Sequence, residues 1–178
     1  MRSRTEQCDT SVSLSGTEVF LALGSNLGDS LAHFEAALAG LKTGGFTVRR
    51  VSPWYVTAPV DCEPGVPPFL NGAVAGVWPG TPEALLTLCQ SLEHRAGRPE
   101  VHSSRQSREL DLDLILFGDR IIRTPQLTVP HPRAAQRAFV LVPLNDIAPE
   151  TVFPDSGKTV AELFDGLPDK SGICRRED

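Results

Sequence analysis

The chain is poor in the features that would set it apart from ordinary globular proteins. Its apolar runs fall well short of the roughly 18 residues that a membrane-crossing helix needs. Met1-Arg2-Ser3-Arg4 is not followed by a hydrophobic segment of secretory type, so the expected location is the cytoplasm, with no membrane partner. The four cysteines, at positions 8, 62, 89 and 174, form no CxxC pair and license no disulfide framework; Cys89, within an apolar helical pattern, is expected to be a small core residue. A net charge of −5 argues against a broad nucleic-acid-binding face and leaves room only for a local basic cluster. Ser156-Gly157-Lys158-Thr159 imitates the end of a P-loop, but Val152 stands where the first glycine belongs and no strand–loop–helix context surrounds it. There are no internal repeats.

What is present is a 178-residue chain, 40% hydrophobic and 22% charged, enough for one domain whose core needs no disulfide or metal. Residues 1–16 are polar and aperiodic and are expected to be a disordered extension. Residues 19–23 predict a buried strand, followed by a turn and a helix over 30–41 with Leu31, Phe34, Leu38 and Leu41 inward. Residues 46–51 and 54–57 read as one strand disturbed at Pro53. The next segment, 58–68, holds four prolines and forms a loop long enough to cover a ligand. A strand over 69–78 leads to a helix capped by Thr81 with Pro82 at its first position. The buried stripe there is Leu85, Leu88, Cys89 and Leu92, with Gln90 and Glu93 on a neighbouring side.

Residues 98–107 are a polar loop, and residues 120–122 are expected to return as a hairpin partner of the strand before them. Residues 124–130 read as extended, 133–146 as partly helical and shortened or kinked by Pro143, 151–153 as a small strand, and 160–164 as a last helical turn. The domain is thus expected over 17–168, with a frayed tail over 169–178. The order βαββαβ followed by more helix predicts an α+β fold, a ferredoxin-like sandwich with a mainly antiparallel sheet and C-terminal helical additions.

Residues 108–117, Arg-Glu-Leu-Asp-Leu-Asp-Leu-Ile-Leu-Phe, carry the strongest chemical signal. Leu110, Leu112, Leu114 and Leu116 alternate with Asp111, Asp113 and Ile115, so a strand here would put both carboxylates on one face and the leucines on the other. Two carboxylates at i and i+2 stand only roughly 7 Å apart, and nothing in the local sequence neutralises them. A shared cation would remove the repulsion, although an edge strand with a wet polar face accounts for the same alternation. Arg98, Arg105 and Arg108 upstream, and His131 within Val129-Pro130-His131-Pro132, shift the balance. Carboxylates for Mg²⁺ beside arginines for phosphate are the equipment of a nucleotide polyphosphate site.

Several stretches, taken together and in order over about residues 18–155, resemble the 6-hydroxymethyl-7,8-dihydropterin pyrophosphokinases of folate biosynthesis. They are Leu23-Gly24-Ser25-Asn26-Leu27-Gly28, Phe69-Leu70-Asn71-Gly72-Ala73-Val74, residues 93–98 and 108–118, Thr128-Val129-Pro130-His131, and Arg137-Ala138-Phe139-Val140. The resemblance implies transfer of pyrophosphate from ATP to a pterin hydroxymethyl group, with AMP released. It implies two Mg²⁺ ions held by Asp111 and Asp113, phosphates clamped by Arg98 and Arg108, and His131 near the α-phosphate. Gln90, Glu93, Leu114, Thr128 and Arg137 match positions lining the ATP pocket. Phe69 and Phe139 would sandwich the pterin while Asn71, Thr57 and the backbone around Pro59 and Val60 read its edge; taken singly, the two phenylalanines are more often core residues, and an asparagine in a strand can simply satisfy a backbone group. The implied partners are small molecules, and a monomer is expected.

This sequence departs from the family pattern just before Arg108, where Arg105-Gln106-Ser107 replaces a Trp-Gly-Pro tripeptide whose tryptophan helps close the site. Proline stands at position 132, Ala58 replaces the first proline of the Thr-Pro-Pro loop, and that loop is one residue longer. Two other readings stay open at this point: another metal-dependent phosphotransferase or phosphohydrolase on the same scaffold, and a non-catalytic nucleotide-binding relative with an altered lid.

Overall fold

Strand β1 (Thr17–Ser25) is buried from Val19 onward because it has a neighbour on each side. It pairs antiparallel with β4 (Phe69–Trp78) on one edge and with β5 (Asp111–Phe117) on the other. The computed structural model, which describes residues 16–58, 65–97 and 107–177, builds outward from this pair. Beyond β4 lie β2 (Thr47–Val51) and β3 (Tyr55–Thr57), both antiparallel to it. The main sheet runs β5-β1-β4-β3 and is extended by β8 (Ile173–Arg175), with β2 also on β4. Helices α1 (Ser30–Thr43) and α2 (Pro82–Ala96) complete a βαββαβ order in which β2 and β3 share the place of the second strand, with all neighbours antiparallel, the expected ferredoxin-like α+β sandwich.

Alternation along β1 sorts the core into two layers. Val19, Leu21 and Leu23 pack with Phe34, Ala37 and Leu41 of α1 and with Leu85, Cys89 and Leu92 of α2. Phe20 and Ala22 face the other way, onto Val140, Leu141 and Leu144 of α3 (Ala138–Ile147) and Val160 of α4 (Val160–Asp165). Ala22, Ala73 and Ala75 are the small residues of that second face, which lets α3 approach the sheet closely. Both long entry helices start as their sequences dictate: Asp29 accepts from Ala32 N and Thr81 from Ala84 N. The P-loop imitation is a turn leading into α4, where Thr159 and Glu162 form a reciprocal capping box. Among the described residues no helix is long and apolar enough to cross a membrane.

Four local expectations are corrected. The leucines of β5 do not all share a face: the register passes from Leu21 opposite Leu114 to Phe20 opposite Leu116, and this bulge turns Leu116 toward α3 together with Ile115. Residues 120–122 do not return along β5. Gly118, at φ 54°, donates to Glu18 O and turns the chain away, so β6 (Ile122–Arg123) pairs instead with β7 (Thr128–Val129). The interrupted strand over 46–57 is two strands, because at Ser52 the side chain enters the pairing: Ser52 Oγ accepts from Ala73 N while Ser52 N donates to Ala73 O. The tail expected to fray over 169–178 forms β8, because the exposed edge of β3 offers unpaired backbone groups that a passing chain can satisfy.

Candidate active site

Register across the sheet lines up a strip of residues on the α3 face. Thr57 lies opposite Phe69 and Tyr55 opposite Asn71; Gly24 lies opposite Asn71 on one side and Asp111 on the other. Residues directly opposite in antiparallel strands share a face, so Thr57, Phe69, Asn71, Gly24 and Asp111 form one continuous strip. Within it the buried Asn71 Nδ2 donates to Thr57 Oγ1 at 2.7 Å, which fixes the amide's orientation. Its Oδ1 then faces Gly24, where an added Cβ would stand 3.2 Å from that oxygen and 3.7 Å from the Asp111 Cβ. Glycine therefore keeps the middle of the strip bare, a floor on which a flat ring carrying hydrogen-bond donors can lie.

Asp113 lies two residues beyond Asp111 and opposite Ala22, on the same face. The imidazole of His131 lies beside it, with Nε2 4.0 Å from Asp113 Oδ2. His131 is anchored by its own N–H, which donates to Ile115 O at 3.0 Å, just after the cis Val129-Pro130 peptide. Burial first, then the charges of Arg137 and Arg133, push its pKa down to about 4 against a weaker opposing effect of Asp111. The imidazole is consequently neutral at pH 7. Because Nδ1 accepts from Arg133 N at 3.3 Å, the ring proton is assigned to Nε2, which makes it a donor toward an anion beside Asp113.

The repulsion read from the sequence is partly answered locally, which corrects the expectation that nothing nearby neutralises the two aspartates. Arg108 Nη1 donates to Asp111 Oδ2 at 2.7 Å, and both side chains are largely enclosed. The backbone of Arg108 is held as firmly: its N–H donates to Asn26 Oδ1 at 2.8 Å, and its carbonyl accepts from Asn26 N and Leu27 N. Asn26 Nδ2 also donates to Pro67 O and Ser107 Oγ, so one buried amide ties together the ends of two loops. In the sequence Asn26 stands only as one letter of the Leu23–Gly28 stretch. An asparagine between a strand and a helix cap was the available signal.

Glu93 was expected in a nucleotide pocket, and it is buried beneath the aspartate strand, where it accepts from Leu112 N at 2.7 Å. The amide it holds lies between Asp111 and Asp113. Burial, followed by the charges of Glu93 and Asp113, pushes the Cys89 thiol up to about 12, in keeping with an inert core cysteine.

The remaining expected residues divide. Phe139 opens α3 on the strip's side of the sheet, with the Arg137 guanidinium 5.3 Å from its ring centroid, and Phe69 is half-buried at the strip's outer end. Leu114 points to the opposite face, into the core with α2; only its backbone, on the edge strand, is available to a ligand. Gln90 is exposed on α2, and Thr128 is exposed on β7. Pro59, Val60, Arg98 and Arg105 lie outside the described residues. Among the described residues no three His, Cys, Asp or Glu side chains gather as a metal cage. Two carboxylates on one face, to be completed by oxygens from a polyphosphate and water, fit Mg²⁺, which keeps much of its shell outside the protein.

The chain matches the sequence model of a family described as 7,8-dihydro-6-hydroxymethylpterin-pyrophosphokinase over residues 20–149. It is 39% identical over 146 residues to the Synechocystis 2-amino-4-hydroxy-6-hydroxymethyldihydropteridine pyrophosphokinase, covering 82% of this chain and 73% of that one. It is likewise 39% identical to the protein of that name in Methylorubrum extorquens, over 90% of this chain and 99% of the relative. A solved Plasmodium falciparum HPPK-DHPS chain shares the fold at a TM-score of 0.73 and 15% identity, and this chain spans 50% of it. The match to the family model over residues 20–149 and the identity to relatives covered over most of their length lead to one placement: the chain belongs to the 7,8-dihydro-6-hydroxymethylpterin-pyrophosphokinase family.

Proposed function

We propose that the protein transfers the terminal pyrophosphate of ATP to the hydroxymethyl oxygen of 6-hydroxymethyl-7,8-dihydropterin, releasing AMP, as a step of folate biosynthesis. The observation that carries the reading is the single strip on which a floor for a flat heterocycle, Thr57-Asn71-Gly24, runs directly into Asp111 with its partner Arg108. In this reading Asn71 and Thr57, with the backbone at Pro59 and Val60, recognise the edge of the pterin, and Phe69 and Phe139 cover its faces. A stacked aromatic adds about 1 kcal/mol beyond burial.

The acceptor hydroxyl attacks the β-phosphorus and gives up its proton to solvent, the bond from that phosphorus to the oxygen bridging to the α-phosphate breaks, and AMP departs with the electron pair. Asp111 and Asp113 would hold two Mg²⁺ ions, which would supply charge neutralisation and polarisation of the attacked phosphorus. Arg98 and Arg108 bind phosphate oxygens as charge develops, and the neutral His131 donates from Nε2 to an oxygen near the α-phosphate. Gln90, Glu93, Leu114, Thr128 and Arg137 bound the nucleotide, Leu114 through its edge backbone and Glu93 by fixing that strand. No side chain of unusual pKa has to move a proton, since positioning and electrostatics dominate phosphoryl transfer. The reading carries with it a cytoplasmic monomer acting on small molecules.

Incubation with ATP, Mg²⁺ and the hydroxymethyl pterin tests it. AMP formed only when the pterin is present is the expected result. ADP or orthophosphate as the nucleotide-derived product would instead indicate a different phosphotransferase or hydrolase, and nucleotide binding without turnover would indicate a non-catalytic relative.

A further inference from the structure

β3 is three residues long, and it carries Thr57, the residue that orients Asn71. So short a strand is held from one side by β4, but here it is held from both. On its outer edge Tyr55, Val56 and Thr57 pair with Arg175, Cys174 and Ile173 of β8. Two further bonds close the ends of this pairing: Ala58 N donates to Gly172 O at 3.2 Å, and Arg176 N donates to Trp54 O at 2.8 Å. The approach is prepared by Asp169, whose Oδ1 accepts from Ser171 N at 2.7 Å and turns the chain toward the sheet edge.

Register also decides which side chain of β8 reaches the strip. Ile173 is directly opposite Thr57, so it lies on the face shared by Thr57, Phe69 and Asn71, where it is half-buried. The strip therefore does not end at Thr57; an apolar side chain from near the end of the chain extends it. Asp111, Asp113 and Arg108 belong to the opposite margin of the sheet, on and before β5. Whatever β8 does for the site, it does at the heterocycle end.

Resting on the function proposed above, we propose that residues 172–176 are a positioning element for the pterin: β8 fixes Thr57 from outside, and Ile173 forms the outer apolar wall of the heterocycle's site. The nucleotide half is independent of them. Tyr55 ties the same unit to the helices on that face, since its hydroxyl donates to Asp146 Oδ2 on α3, the helix whose first turn carries Phe139. β8, β3 and α3 thus form one frame around the pterin.

Two variants of the 178-residue chain test this: one ended after Asp169, and Ile173→Ser, which leaves the backbone pairing in place. Equilibrium binding of 6-hydroxymethylpterin and of ATP with Mg²⁺ is measured separately, alongside KM and kcat for AMP release. The expected result is a pterin affinity about tenfold weaker on truncation and severalfold weaker for Ile173→Ser, with ATP affinity and kcat at saturating pterin within about twofold. A purely structural role would weaken both substrates together. Equal losses for ATP and pterin, or an unchanged pterin affinity in both variants, overturns the proposal. Should the truncated chain not fold, Ile173→Ser decides. An intact chain that binds pterin without releasing AMP refutes the transfer reading while the binding comparison still judges β8; one that binds no pterin overturns both.

Discussion

Replacing Glu93 separates the support of the aspartate strand from the chemistry performed on it. The carboxylate is 7% exposed and accepts the Leu112 amide at 2.7 Å. Glu93→Ala removes a charge-assisted hydrogen bond, strands a buried N–H and leaves a void, which together cost on the order of 3 kcal/mol. For a domain of this size that lowers Tm by roughly 6–10 °C. Glu93→Gln keeps an acceptor oxygen in place and should cost on the order of 1 kcal/mol. Because the held amide lies between Asp111 and Asp113, its release shifts both carboxylates, and a displacement of about 1 Å at reacting groups lowers turnover up to a hundredfold. Urea unfolding and steady-state AMP release on the three proteins read both effects. The reasoning fails if Glu93→Ala is within about 0.5 kcal/mol of wild type, or if Ala and Gln variants are indistinguishable in kcat.

Gly24→Ala should fold with stability within about 1 kcal/mol of wild type, since its methyl needs neighbours to give only a few tenths of an ångström. Pterin binding, measured by fluorescence titration, should nevertheless fall by more than about tenfold, because the methyl stands on the strip between Asn71 and Asp111. Asn26→Asp keeps an acceptor for Arg108 N but loses the donations to Pro67 O and Ser107 Oγ, so binding assays should show weakened affinity for both substrates. The Tyr55 hydroxyl, pushed up to about 12 by burial and then by its bond to Asp146, gives a signed alkaline effect. Its folded value lies above the unfolded value, so the associated stability is complete below pH 10 and is lost as pH rises toward 12, on the order of 2 kcal/mol in all. Tyr55→Phe should remove that part of the decline in denaturant titrations.

The layered βαββαβ fold was legible because its signals are local and agree with one another: the Thr81-Pro82 helix entry, the Asp29 cap, and the apolar runs of β1 and β4. Period-two reading also put Asp111 and Asp113 on one face. It failed at Leu116, because a bulge is set by the partner strand and leaves no mark in the sequence of β5. The Asn71–Thr57 bond, the Gly24 gap and the Asn26 tie are contacts across strands or loops distant in sequence, so only the register reveals them. β8 was invisible for the same reason: Ile173-Cys174-Arg175 has no periodicity of its own and becomes a strand because β3 offers it an edge. Glu93 lay on the correct helix, but its partner was a backbone amide, which no residue type announces.

A sheet face that brings a hydroxymethyl oxygen to the β-phosphorus of ATP must move two phosphoryl groups as a unit. Phosphorus NMR of a reaction containing ATP, Mg²⁺ and hydroxymethyl dihydropterin tests it most directly. The expected spectrum shows an AMP singlet growing in step with two coupled resonances of a new pterin diphosphate ester, with none of these in the Asp111→Asn protein. ADP with a pterin monophosphate, or AMP accompanied by free pyrophosphate while the pterin stays unmodified, would contradict it.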